Sequence, residues 1–376
     1  MGLSIWTVLR FPKVSSMSRI HSVLRTTALL GASAAALPAL AQEEPLSFSN
    51  GSGTTIELYG YFKLDAVLDF GAELGNTTFP LVGITDDDGD TYFNATAQQT
   101  RIGVRSTTET SLGDFGTQIE VDFYGGAGAF GTENPFEPRV RHANFTYLGF
   151  LVGKDWTTFM PISSYPITLD FQGVAGIPFA RQEQIRYTHE FGNYQLQLAL
   201  EEHNDEVSND PVAIAAIAYD TDPLLLRLSG LYGSVETGDD DDEDIYGFNL
   251  STTVQLWEGA TLDAAYTYGE GIASYLVFLG ADVDSDGDAI EQQSAYVGLA
   301  QSIGDKLTVR AIYGWRDNER GGDADTENLS SLHLNADYEV VEDTVIGLEY
   351  FHGTRDTFGN GDFDVDRLQA SVTYTF

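Results

Sequence analysis

The sequence predicts an all-β chain, a transmembrane antiparallel β-barrel of 16 strands with short periplasmic turns and long extracellular loops. Three observations predict it. Long segments alternate apolar and polar residues with a period of two. Every second connection between them is turn-like, whereas the others are long, acidic and Gly-rich. The chain stops at Phe376, the last outward position of the last alternating segment.

Composition narrows the function classes. The 376 residues include 42% hydrophobic and 12% aromatic residues, far too rich for a disordered chain. There is no Cys, hence no disulfide framework, thiol nucleophile or Cys-ligated zinc. Nineteen basic against 57 acidic residues give a charge of −38, which repels phosphate backbones and excludes nucleic acid as a partner.

Residues 1–41 read as an over-extended start followed by a signal peptide. Met17 precedes a basic stretch, Arg19 to Arg25, and an apolar run, Thr26 to Leu37. Ala39-Leu40-Ala41 then supplies a small-x-small cleavage site after Ala41. This leader holds four of the basic residues and no acid, so fifteen basic residues remain against 57 acids, a net of −42. Residues 42–54 form a periplasmic N-terminal segment, and 55–376 form the barrel.

The first strand, 55–70, places Ile56, Leu58, Phe62, Leu64, Leu68 and Phe70 on one face. Glu57, Tyr59, Tyr61, Lys63, Asp65 and Asp69 fall on the other. Its length suits a bilayer, which takes about 9–11 tilted residues, better than a globular sheet. The remaining fifteen strands are expected over 91–105, 115–124, 139–147, 150–158, 181–190, 194–202, 212–219, 224–233, 245–256, 261–269, 292–302, 307–316, 329–339, 344–352 and 367–376. Leu148-Gly149, Gly192-Asn193, Glu258-Gly259 and Gly304-Asp305 mark short turns, and 106–114 is a slightly longer one. Long connections cover 71–90, 125–138, 159–180, 203–211, 234–244, 270–291, 317–328 and 353–366. Hydrocarbon offers no water to unpaired backbone groups, so such a sheet must close on itself. Outer-membrane barrels commonly end in an aromatic residue that their assembly machinery reads, and Phe376 fits that role. Tyr59, Tyr61, Tyr266, Tyr268, Tyr313, Trp315, Tyr350 and Tyr374 fall near strand ends, either as interfacial girdles or as ordinary β-surface aromatics.

Sixteen strands enclose an aqueous lumen. The connection 159–180 is mostly apolar and marked by Pro and Gly, so it folds into the lumen as a constriction or packs on a neighbouring subunit. Charge at a constriction sets selectivity. Alternation points Lys63, Asp65, Arg101, Arg105 and Arg186 inward, whereas the facing of Arg139, Arg141 and Lys154 is ambiguous because their strands alternate poorly. A subunit interface would account for that irregularity. Two roles fit these cations: capture of carboxylate solutes, or bracing against Asp65, Asp69, Glu120 and Asp122.

Asp282, Asp284, Asp286 and Asp288 alternate before the bend of a calcium-type loop, with Gly287 among them, but position 12 is Gln293. Calcium or a plain solvated acidic loop are the two readings, and no other cofactor is expected. The runs Asp86 to Asp90 and Asp239 to Asp244 read as solvated charge, or as contacts to lipopolysaccharide through divalent ions. The five His of the expected mature chain lack an evident Ser partner, so no enzyme is expected.

Several segments together resemble the DcaP-like outer-membrane porins of Gram-negative cells. They are Leu58-Tyr59-Gly60-Tyr61-Phe62-Lys63-Leu64-Asp65, Thr100-Arg101-Ile102-Gly103, Glu120-Val121-Asp122-Phe123-Tyr124, Arg139-Val140-Arg141-His142, Gly153-Lys154-Asp155-Trp156, Leu169-Asp170-Phe171 and Arg181 to Tyr187. The resemblance covers about 55–190, and the second half shares only the barrel pattern and the ending. It implies a homotrimer of 16-stranded channels in outer-membrane lipid and lipopolysaccharide, passing dicarboxylates and similar small anions. It implies a constriction at Arg101, Arg141, Arg181 and Arg186, with Lys63, Asp65, Arg105, Glu120, Asp122 and Asp170 also lining the pore.

Overall fold

The computed structural model describes residues 46–51, 53–85, 89–203, 210–237 and 241–376. The expected leader over 1–41 lies outside them, as do parts of the acidic runs Asp86 to Asp90 and Asp239 to Asp244.

The strands in chain order are β1 (Leu46–Ser49), β2 (Thr54–Gly71), β3 (Asp90–Thr96), β4 (Arg101–Thr110), β5 (Gly113–Asp122), β6 (Arg139–Tyr147), β7 (Phe150–Trp156), β8 (Arg181–Phe191) and β9 (Tyr194–Glu201). They continue as β10 (Val212–Thr221), β11 (Leu224–Thr237), β12 (Asp241–Trp257), β13 (Ala260–Glu270), β14 (Glu291–Ile303), β15 (Leu307–Asn318), β16 (Thr326–Val341), β17 (Thr344–Thr357) and β18 (Asp362–Thr375). Successive strands pair antiparallel, and β18 closes the barrel on β2, with Leu368 opposite Leu68 and Thr375 opposite Tyr61. The backbone of Phe376 adds two hydrogen bonds to Gly60, at 3.2 and 3.0 Å, and its ring lies 5.3 Å from that of Phe62. β1 is a short addition on β2, next to where β18 ends.

The 16 staves follow the expected order, but the second is broken. β3 pairs with the upper part of β2 and β4 with the lower part. Between them Ala97 to Thr100 turns inward, closed by the Thr100 N–H on the Ala97 carbonyl at 3.0 Å. Gln98, Gln99 and Thr100 are buried there, and Lys63 Nζ donates to Gln99 Oε1 at 2.6 Å. The connection expected over 106–114 is a two-residue turn, because β4 runs to Thr110 and β5 starts at Gly113. Several expected loops are also strand: β11, β16, β17 and β18 extend well beyond their apolar alternation. Above the apolar band both faces carry polar residues, so no period-two signal marks the continuing ladder.

On β2 Phe62, Leu64, Leu68 and Phe70 face outward, whereas Lys63, Asp65 and Asp69 are buried inside. Tyr59 and Tyr61 correct the girdle expectation. They lie on the inner face, beneath Arg105 and Arg101 with guanidinium-to-ring distances of 4.7 and 5.3 Å. Of the others expected there, Tyr268 and Tyr350 lie on the outer face and donate to Glu291 (2.9 Å) and Asp366 (2.7 Å), and Tyr232, donating to Asp244 (3.0 Å), joins them.

Three connections fold inward, at 71–85, 157–180 and 271–290, each with one short 3-10 turn. Leu81, Met160, Val174, Ile177, Val277 and Phe278 pack against the inward Tyr296, Ile312, Leu329 and Phe351. The inner wall of β14–β17 thus carries apolar residues where loops cover it. Connections 157–180 and 271–290 also pair with each other, through Phe179 N–H on Tyr275 O (2.8 Å) and Val277 N–H on Ile177 O (2.9 Å). Gly314 lets the loop approach the wall, since a Cβ there would meet the Ala175 carbonyl at 2.2 Å.

Candidate functional site

A basic row crosses the inner face of adjacent staves from β2 to β8. Register sets Tyr61 opposite Arg101, Asp122 opposite Arg139, and Trp156 opposite Arg181. The poor alternation of β6 has a local cause. A β-bulge opposes Glu120 to His142 and Val121 to Val140, leaving Arg141 as the extra residue. Arg141 and His142 are therefore both turned inside, each 0% exposed, and no subunit contact is required to explain the pattern.

Most of the predicted cations are braces. Arg141 pairs with Glu120 (2.6 Å) and Asp122 (3.2 Å), and Arg139 with Asp122 (2.6 Å). Arg105 pairs with Glu57 (2.6 Å), and Arg186 with Asp155 (3.0 Å). Lys63 pairs with Asp65 (3.2 Å) and donates to the Leu169 carbonyl (2.7 Å), so it holds the loop. Lys154 and Glu183 pair at 3.1 Å on the outer face instead.

Arg101 and Arg181 differ. Neither makes an ion pair among the described residues, and each stacks on a ring, Arg101 on Tyr61 and Arg181 on Trp156 at 4.7 Å. Arg101 Nε, Arg181 Nη1, Tyr61 OH and Trp156 Nε1 have no hydrogen-bond partner among the described residues. Guanidinium groups removed from bulk water without a carboxylate call for water or an anion beside them.

Asp170 does not present its charge to the lumen. Its carboxylate accepts the Thr78 N–H (3.1 Å), the Thr78 hydroxyl (2.7 Å) and the Gln172 N–H (2.9 Å), and pairs with Arg367 at 3.4 Å. The loop 157–180 is staked along its length. Glu349 accepts the N–H groups of Leu169 (2.9 Å) and Asp170 (3.1 Å), Ser331 Oγ accepts that of Ala175 (2.8 Å), and Arg227 donates to the Thr158 carbonyl. Sequence reasoning missed Glu349, Arg227 and Arg367. Alternation in their strands puts all three inward, but nothing in the sequence shows that they meet loop 157–180 or, for Arg367, Asp69.

The calcium-type acids point in different directions. Asp282 is buried, accepts the Ser274 N–H at 2.8 Å and lies 3.6 Å from His203 Nε2. Asp284 accepts the N–H groups of Asp286 (2.9 Å) and Asp288 (3.1 Å) and pairs with Arg320 (3.0 Å). Partial desolvation pushes its carboxyl up, but those N–H groups and Arg320 outweigh it and hold it below the ordinary range. Among the described residues, the group whose ligand atoms converge within 4.8 Å is His352, Asp364 and Asp366 on the outer face of β17 and β18.

Sixteen staves sheathed in apolar residues around a polar, basic-lined interior define a porin-type outer-membrane β-barrel. The chain belongs to the DcaP outer membrane protein family, whose model matches residues 41–376. It is accordingly a protein of the Gram-negative outer membrane and not an enzyme. A search of curated proteins finds no match. The outer membrane channel DcaP of Acinetobacter baumannii superposes with a TM-score of 0.78 at 24% identity, covering 88% of this chain and 99% of that one. The anion-selective porin from Comamonas acidovorans gives 0.63 at 14% identity, with 86% and 100% covered. OmpT of Vibrio cholerae gives 0.59 at 16% identity, with 89% and 100% covered.

Proposed function

We propose that this protein is a passive porin for small hydrophilic solutes, with a preference for small anions such as dicarboxylates. The observation that carries the reading is the pair Arg101 and Arg181, stacked on Tyr61 and Trp156 and lacking carboxylate partners among the described residues. Arg139 and Arg141 stand in the same row but are neutralised by Glu120 and Asp122, so the unpaired charge is that of Arg101 and Arg181, and loop 157–180 faces it as the constriction. Two guanidinium groups on one wall suit a solute with two carboxylates, which each group can hold bidentately. The likeness to a channel of Acinetobacter and to an anion-selective porin supports the same reading.

Residues 1–41 act as a leader cleaved after Ala41, and the mature chain forms a homotrimer in lipid and lipopolysaccharide. The low stretch of wall, where β6 and β7 have 9 and 7 residues against 17 in β12, supports contact between copies there. A Vibrio porin-type neighbour is described in a trimer form.

Purified protein in planar bilayers tests the function. Stepwise currents are expected, with a reversal potential in a KCl gradient that favours chloride and with block by succinate or phthalate. Equal permeability to both ions, or equal block by neutral sugars, would refute the anion preference while leaving a general porin.

A further inference from the structure

We infer that Arg367 is a positioning residue that tunes the charge preference of the passage, although its side chain is 0% exposed and reaches no solute. It stands where β18, β2 and the inward connections 71–85 and 157–180 meet. Nε and Nη2 grip the two oxygens of Asp69 at 2.6 and 3.0 Å, Nη2 also donates to the Gly75 carbonyl at 2.8 Å, and Nη1 reaches Asp170 at 3.4 Å.

Both carboxylates also order a loop. Asp69 accepts the N–H groups of Leu74 (2.8 Å) and Gly75 (3.1 Å), and Asp170 accepts two hydrogen bonds from Thr78. Two residues along β18, Gln369 donates to Asp65 (2.9 Å) and to the Leu169 carbonyl (3.2 Å), which keeps the loop against the same wall. One guanidinium thus contacts two acids and offsets one of their two charges in a buried place, where charge acts strongly and is weakly screened. Without it, two carboxylates would face the row that contains Arg101 and Arg181, and the loops they tether would loosen. The fork geometry matters as well as the charge, since a Lys offers a single point of contact.

The direction of the effect rests on the proposed anion route, but its existence does not. The experiment compares reversal potentials of wild type, Arg367→Gln, Arg367→Lys and Asp69→Asn/Asp170→Asn, each checked for barrel formation by heat-modifiable gel mobility. Arg367→Gln is expected to lower the chloride-to-potassium permeability ratio severalfold. Arg367→Lys should restore most of the ratio, and the Asp69→Asn/Asp170→Asn pair should raise it above wild type. An unmoved ratio in a folded Arg367→Gln protein would overturn the inference. Should that variant fail to form a barrel, an unmoved ratio in the Asp69→Asn/Asp170→Asn pair would overturn it equally. A wild type without anion preference defeats the proposed function, yet a shift in these variants would still uphold the role of Arg367.

Discussion

Replacing Glu349 by Ala should release the middle of loop 157–180 while leaving the barrel closed. The carboxylate accepts from Leu169 N (2.9 Å), Asp170 N (3.1 Å) and Asn335 Nδ2 (2.9 Å), and lies 3.2 Å from His333 Nδ1. Ala removes every acceptor at once. A buried donor without a partner costs about 1–3 kcal/mol, so the two backbone donors alone lose about 3 kcal/mol on a moderate count. At 1.4 kcal/mol per factor of ten, the docked loop becomes about 100-fold less favoured over an undocked one. The ladders of β16 with β17 and of β17 with β18 do not depend on this side chain, so the cost falls on the loop. Hydrogen exchange of a peptide covering 167–172 should accelerate about 100-fold, while exchange within β16 and β17 stays at the wild-type rate. Glu349→Gln keeps one acceptor oxygen and should give a smaller acceleration. Unchanged exchange at Leu169 and Asp170 in the Ala variant would refute the anchoring argument.

Other outcomes follow from the same geometry. Arg101→Gln and Arg181→Gln should each weaken dicarboxylate block about tenfold, at about 1.5 kcal/mol per charge-assisted contact, measured as blocking constants in planar bilayers. Gly314→Val should push Ala175 off the wall and toward the basic row, and so lower single-channel conductance, because even a Cβ would lie 2.2 Å from that carbonyl. Asp284 has a lowered carboxyl pKa, so its support of the turn 284–288 is complete above about pH 4 and is lost as the pH falls through the lowered value. Amide exchange at Asp286 and Asp288, corrected for intrinsic rate, should rise below about pH 4, and Asp284→Asn should show that rise at neutral pH.

The fold was legible wherever one face of a strand meets an apolar surroundings and the other water. β2, β4 and β8 alternate in that way, and their registers place Lys63, Arg101 and Arg186 as expected. Legibility failed where local geometry breaks the period, as at the Arg141 bulge and at the Ala97 to Thr100 break. It also failed in β16 to β18 above the apolar band, where polar residues cover both faces. For the site, sequence could nominate cations on the inner wall but could not sort them. That sorting depends on partners far apart in the chain, such as Asp170 with Arg367 or Lys63 with Leu169, which only the inward fold of loop 157–180 brings together.

The uneven height of the wall has a consequence for the surrounding bilayer. Seven residues of β7 reach about 24 Å even untilted, and less at a barrel strand's slant, whereas the apolar band of such barrels is about 25 Å tall. A solitary copy would therefore draw the lipid leaflets together along β6 and β7 while the opposite side fits an ordinary thickness. Short-chain lipids should relieve that distortion and long-chain lipids sharpen it, so acyl length becomes a lever on how readily single copies persist.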